Sequence, residues 1–162
     1  MPGKMPEVYE GDRPFIFVSY AHADSDAVIP IITDLDDEGY RVWYDKGIQA
    51  CSTFPDYIAD HVHDCECFLM LISHASLVSD WCKNEVNYAI MCRKKILPVY
   101  LEDVELPRGL EIQLGTVQAL FWYGYKTDAE FNEALFAVPM LDTCLKPEGK
   151  RRRGVKPRMP KP

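Results

Sequence analysis

Cys67-Phe-Leu-Met-Leu-Ile-Ser73, followed closely by Ser79-Asp-Trp-Cys-Lys-Asn-Glu85, decides how this chain folds. Six apolar residues in a row leave no polar face, so as a strand the first segment is covered on both sides. Ser79 or Asp80 then caps a helix running to about Cys92. A strand buried on both faces and leading into a helix is half of a βαβ unit, and the same grammar recurs on either side. Upstream, Phe15-Ile-Phe-Val-Ser-Tyr20 is a second short apolar run. Val28, Ile31, Ile32 and Leu35 then recur at helical spacing, and Gly39 stops that helix. Tyr40-Arg-Val-Trp-Tyr44 is the next strand, residues 45–54 have no clear period, and Pro55 opens a helix with Tyr57, Ile58 and Val62 on one face.

Downstream, Lys95-Ile-Leu-Pro-Val-Tyr-Leu101 is a fourth strand whose Pro98 suits an edge or bulge better than a central ladder. Residues 102–115 read as loop with at most one helical turn, Thr116–Phe121 as a fifth strand, and Asp128 as the cap of a last helix carrying Phe131, Leu135 and Val138. This alternation predicts an α/β fold: a flavodoxin-like three-layer sandwich, its five-stranded, mainly parallel sheet covered by helices on both faces. Ligands of such sheets bind beyond the carboxyl ends of the strands, where the loops after Tyr20, Tyr44 and Ser73 open. The expected division is a loose leader over 1–13, one domain over 14–142, and a basic, disordered Pro/Arg/Lys-rich tail over 143–162.

At 162 residues, 48% apolar and 27% charged, the chain is long enough for one core without disulfides or metal as staples. No apolar run approaches the roughly 20 residues of a membrane span, and the first residues lack the apolar core of a secretory signal. The expectation is a cytoplasmic protein with no membrane partner, its six cysteines mostly buried thiols. Net charge is −7, but from Lys146 onward eight basic residues stand against one acid, so the remainder carries 10 basic and 24 acidic residues. A body so acidic repels phosphates, which argues against nucleic acid as a partner.

Four segments, taken in order, resemble the Toll/interleukin-1 receptor (TIR) domain. They are Phe15–Ala21; Gly39–Asp45 with Gly47-Ile48; Leu71-Ile-Ser73 with Ser79–Glu85, which holds the family's Trp-Cys-x-x-Glu; and Lys95–Val99. The bacterial branch is the closer likeness, the NAD-cleaving type found in Thoeris-like anti-phage systems. The resemblance implies Glu85 as the catalytic residue, Trp81 at the nicotinamide end of the pocket, and Ser19, Tyr20, Ala21 and Asp45 lining the same cleft. It implies NAD+ as substrate rather than cofactor, no metal, and self-assembly with other TIR domains. An activating phage or host factor and a downstream nucleotide-sensing effector are the further implied partners. Two departures fall in the loop after the second strand: Cys51 stands where the family has glycine, and Phe54 where it has tryptophan.

The chemistry suits these residues. The nicotinamide of NAD+ leaves neutral, so no acid is required, and a single carboxylate can stabilise the oxocarbenium ion developing on the ribose. Trp81 and Glu85 are four residues apart and share a helix face, and an aromatic ring can hold a pyridinium beside a carboxylate. The competing reading is a non-catalytic TIR adaptor acting through assembly alone. A flavodoxin-like nucleotide receptor is weaker, since no glycine-rich phosphate loop is visible. His61-Val-His-Asp-Cys-Glu-Cys67 alternates possible zinc ligands, but it straddles a helix end and a strand start, which points the side chains apart.

Overall fold

The computed structural model describes residues 5–46 and 56–147. Five strands, β1 (Ile16–Ser19), β2 (Val42–Tyr44), β3 (Cys67–Ile72), β4 (Lys95–Tyr100) and β5 (Leu120–Phe121), pair in parallel in the order β2-β1-β3-β4-β5. The register sets Ile16 opposite both Val42 and Cys67, and Ser19 opposite Met70. Six helices connect and cover the strands: α1 (Ser25–Glu38), α2 (Asp56–Asp64), α3 (His74–Val78), α4 (Asp80–Met91), α5 (Arg108–Leu114) and α6 (Asp128–Phe136).

Unbroken apolar runs are needed because successive residues of a strand feed opposite cores. Ile16, Val18, Leu69, Leu71, Leu97 and Val99 pack with α1 and α6 on one face. Phe17, Phe68, Met70, Ile72 and Ile96 pack with Ile58 and Val62 of α2 and Val86 and Ala89 of α4 on the other. Phe17 lies stacked on Phe68 at 5.3 Å and tilted against Trp43 at 5.2 Å. The helical spacing of Val28, Ile31, Ile32 and Leu35 is the buried stripe of α1. Gly39 ends that helix at φ 108°, a left-handed turn open to glycine without steric penalty.

Several expectations are corrected. β2 is shorter than Tyr40–Tyr44: Tyr40 bridges Leu145 antiparallel, and the Arg41 N–H donates to the Cys144 carbonyl while the Arg41 carbonyl still accepts the Ile16 N–H of β1. β5 is two residues rather than the whole of 116–121. It begins opposite Val99, so at Pro98 β4 is paired with β3 alone, and the strand tolerates a residue without an N–H. Residues 74–78 form α3, which makes Glu85 a residue of the fourth helix and not the third. Ser73 and Ser76 create it by a reciprocal capping box.

The loose leader is corrected over residues 5–13. The Tyr9 N–H donates to the Val42 carbonyl at 2.9 Å, Trp43 Nε1 donates to Glu10 at 3.1 Å, and the Tyr44 hydroxyl donates to the Pro6 carbonyl. At the other end Cys144 and Leu145 are buried and the Lys146 N–H donates to Gly39, so order extends beyond residue 142. Gly47, Ile48, Cys51, Phe54, Pro55 and the basic run Lys150–Arg153 lie outside the described residues.

Candidate active site

β2 lies on one side of β1 and β3 on the other, so the chain reverses its direction of travel beside β1, and that carboxyl edge is the topological switch point at which such sheets bind ligands. Ser19 is the last residue of β1, and α4 passes over it. The Ser19 hydroxyl donates to Glu85 Oε1 at 2.6 Å, a bond between residues 66 apart in sequence. Ser79 sets the position of α4, its hydroxyl accepting the Cys82 N–H at 3.1 Å as the N-cap.

Glu85 is only 3% exposed. Burial pushes its carboxyl up to about 8, the nearby Asp45 pushes the same way, and the Ser19 hydrogen bond opposes both. At neutral pH the resting protein therefore holds Glu85 mainly as the acid. The sequence reading assigns Glu85 a role as a carboxylate and leaves its resting protonation open; the acid form follows from the dry site made by sheet and helix.

Tyr20 and Asp45 meet directly: the Tyr20 hydroxyl donates to the Asp45 backbone carbonyl at 3.2 Å. Burial and the neighbouring Tyr44, Asp45 and Glu85 hold the Tyr20 phenol well above its usual range, so it stays a donor. Ala21 is buried and starts the turn out of β1, its carbonyl accepting the Asp24 N–H at 2.8 Å. Trp81 is half-buried one turn before Glu85 and packs on the core between the sheet, α2 and α4. The expected residues thus form two directly bonded pairs, Ser19 with Glu85 and Tyr20 with Asp45. The electrostatic influence of Asp45 on Glu85 connects them.

Three further residues share this edge. His22 Nε2 lies 3.3 Å from the Asp45 carbonyl, and its ring stands edge-on to Tyr20 at 5.1 Å. The Ser73 hydroxyl, at the end of β3, donates to Asp24 Oδ2. Their signal in the sequence is position alone, since each follows a strand that ends at the ligand-binding edge. Cys82 hydrogen-bonds to Ser19 and Ser79, but burial and Glu85 push its thiol up to about 12, which leaves it a poor nucleophile.

The possible zinc ligands disperse. His61 Nε2 bonds Glu10 at 2.8 Å while its ring stacks on Trp43 at 4.0 Å; Cys65 donates to the Val62 carbonyl; Cys67 is buried in the core on the other face of the sheet. No group of three or more His, Cys, Asp or Glu among the described residues is arranged to hold a metal ion. No described helix is long and apolar enough to cross a membrane.

Comparison with known proteins supplies the family. The chain is similar to the TIR domain of the Toll-related receptor TRR-2 from Hydra magnipapillata, with a TM-score of 0.61 and 18% identity over 75% of this chain and 94% of that one. It is similar to the CMP N-glycosidase BcmB of Clostridium botulinum, with a TM-score of 0.52 and 20% identity over 75% of this chain and 97% of that one. It also resembles a metazoan TIR-STING receptor from C. gigas, with a TM-score of 0.56 and 21% identity over 91% of this chain and 46% of that one. At these identities the structures speak for the fold alone. The model of the TIR domain family matches residues 16–136, which takes in every strand and both bonded pairs, and the chain belongs to that family.

Proposed function

We propose that this TIR domain cleaves the bond between nicotinamide and ribose in NAD+, with Glu85 as the catalytic residue. The observation that carries the reading is the buried Glu85 carboxyl, held by Ser19 at the carboxyl edge of the sheet, one turn after Trp81. The C1′–N bond breaks with its electron pair going to the pyridinium nitrogen, so nicotinamide departs neutral. Water capturing C1′ gives ADP-ribose and a proton; capture by a ring nitrogen of the adenine gives a cyclic isomer, and another nucleophile gives an ADP-ribosyl conjugate.

The protonated resting state is compatible with this chemistry. A pyridinium brought within a few ångströms favours the charged form of the carboxyl, so binding NAD+ drives the Glu85 proton out. The resulting carboxylate faces the cationic ribose in a site from which water has been displaced, where its charge acts most strongly. Tyr20 and Asp45 stand at the same carboxyl edge and serve to bind substrate. In this reading assembly with other TIR domains raises the activity, an external factor triggers it, and the product acts on a nucleotide-sensing effector in anti-phage defence.

A second reading has one observation in its favour. A carboxyl that is neutral at pH 7 can donate a proton, and cleavage of a nucleotide with an uncharged base, such as CMP, needs one on its leaving group. The structural likeness to a CMP N-glycosidase gives that substrate a place in the test. Purified protein and Glu85→Gln are each incubated with NAD+ and with CMP, and released base is followed by chromatography. Nicotinamide from the wild type alone supports the first reading, cytosine the second. No release of either, across protein concentrations checked by light scattering, favours the adaptor.

A further inference from the structure

One cavity among the described residues lies beside the candidate site without Glu85 in its lining. It has a volume of about 480 Å3 and lies between α4 and α5, against the carboxyl ends of β1 and β3. Leu77, Val86, Ile90 and Leu110 give it apolar walls. Cys82, Val86 and Ile90 recur every four residues along α4, so one stripe of the helix faces the cavity, while Trp81 and Glu85 belong to the adjoining stripe. Of the six residues expected at the active site, Ser19 alone also lines the cavity. It is 2% exposed and forms the partition between cavity and carboxyl.

We infer that this cavity is a second ligand site, one that takes a small aromatic molecule with an anionic group at one end and a hydrogen-bond donor at the other. Its volume falls within the range of roughly 300–1,000 Å3 typical of small-molecule sites, and its lining has their character, mostly apolar with a few polar groups. The two ends of the ligand follow from two side chains. Lys83 is an exposed residue of the lining, and no carboxylate among the described residues pairs with it. It meets the anion. Ser19 lines the cavity and commits its single hydroxyl proton to Glu85; of its two lone pairs the Cys82 thiol engages one, so a polar group at the inner end of the ligand must donate to the other. A donor there polarises the Ser19 hydroxyl toward Glu85 and strengthens that bond, so occupancy is sensed at the carboxyl. None of this depends on which nucleotide, if any, the protein cleaves.

The probe is 1-anilinonaphthalene-8-sulfonate, an aromatic sulfonate that carries its own N–H. It is titrated by fluorescence into the folded full-length protein at pH 7.5, with circular dichroism melts run on each variant. The expected result is saturable binding at one site, with backbone amide shifts at Ser19, Val86 and Leu110. Lys83→Glu, a change at an exposed residue, is expected to weaken binding at least about five-fold while leaving the melt in place, and Ile90→Arg to abolish it. Should Ile90→Arg unfold the protein, Lys83→Glu and the amide shifts decide. Absence of saturable binding, equal affinity in Lys83→Glu, or shifts confined to other surfaces would overturn the inference.

Discussion

Glu85→Gln is expected to stabilise this protein, and to do so increasingly as pH rises. The carboxyl is pushed from the ordinary glutamate value of 4.5 up to about 8 in the native state, chiefly by burial. Between those two values the unfolded chain has given up the proton and the native protein has kept it. The unfolded state binds fewer protons, so native stability falls as pH climbs through this window. Each pH unit is worth about 1.4 kcal/mol, and the group is too deeply buried for solvent screening to reduce that much. The loss comes to about 1 kcal/mol at pH 5, about 3 at pH 7 and about 4 at pH 8. Gln keeps the shape and an oxygen for the Ser19 hydroxyl but does not titrate. Any penalty for burying its amide is the same at every pH, so the signature is the slope. Urea denaturation of both proteins at pH 5, 7 and 8 measures it. A stability difference that grows by about 3 kcal/mol from pH 5 to pH 8 is expected, and at pH 7 the melting temperature should differ by roughly 6–12 °C. A difference independent of pH would refute the argument, because it would mean that Glu85 is already ionised in the resting protein.

Ser19→Ala removes the hydroxyl that opposes burial at Glu85, worth about 2 kcal/mol to the ionised form. Base release should drop roughly thirty-fold at pH 7 and its midpoint in pH should move up, readable in a rate profile. Arg41 is 8% exposed and donates to the carbonyls of Pro14 and Thr143, which ties both ends of the domain to the start of β2. Arg41→Met, which keeps the apolar stem, should destabilise by about 2 kcal/mol in denaturant titration and leave the affinity for NAD+ unchanged. Leu69→Ala, in the centre of β3, should cost 2–5 kcal/mol, measured the same way.

Much of this fold can be read along the chain, because a strand covered on both sides has to be apolar throughout and a helix covered on one side has to be periodic. Cys67–Ile72 and the Val28–Leu35 stripe satisfy those conditions. α3 could not be found by period: five residues make little more than one turn, and the reciprocal Ser73–Ser76 cap specifies it. The ordered residues 5–13 escaped for a different reason. Their polar composition reads as loose, and their order comes from bonds to Val42, Trp43 and Tyr44, more than 30 residues away. The site divides in the same way. Glu85 and Trp81 come from a motif, and Ser19, Tyr20 and Asp45 from their places at strand ends. No spacing announces that Ser19 and Glu85 bond across 66 positions, or that the resulting site is dry enough to keep a carboxylic acid neutral. Those are properties of packing.

The most direct test of Glu85 as the group that acts on NAD+ is the pH profile of kcat/KM for nicotinamide release, measured for the wild type and Glu85→Gln between pH 5.5 and pH 9. Wild-type kcat/KM is expected to rise with pH, to reach half its maximum near pH 8, where free Glu85 ionises, and to level off above it, while Glu85→Gln stays at background throughout. A wild-type profile that falls across this range, or a Glu85→Gln variant that releases nicotinamide as fast as the wild type, would contradict it.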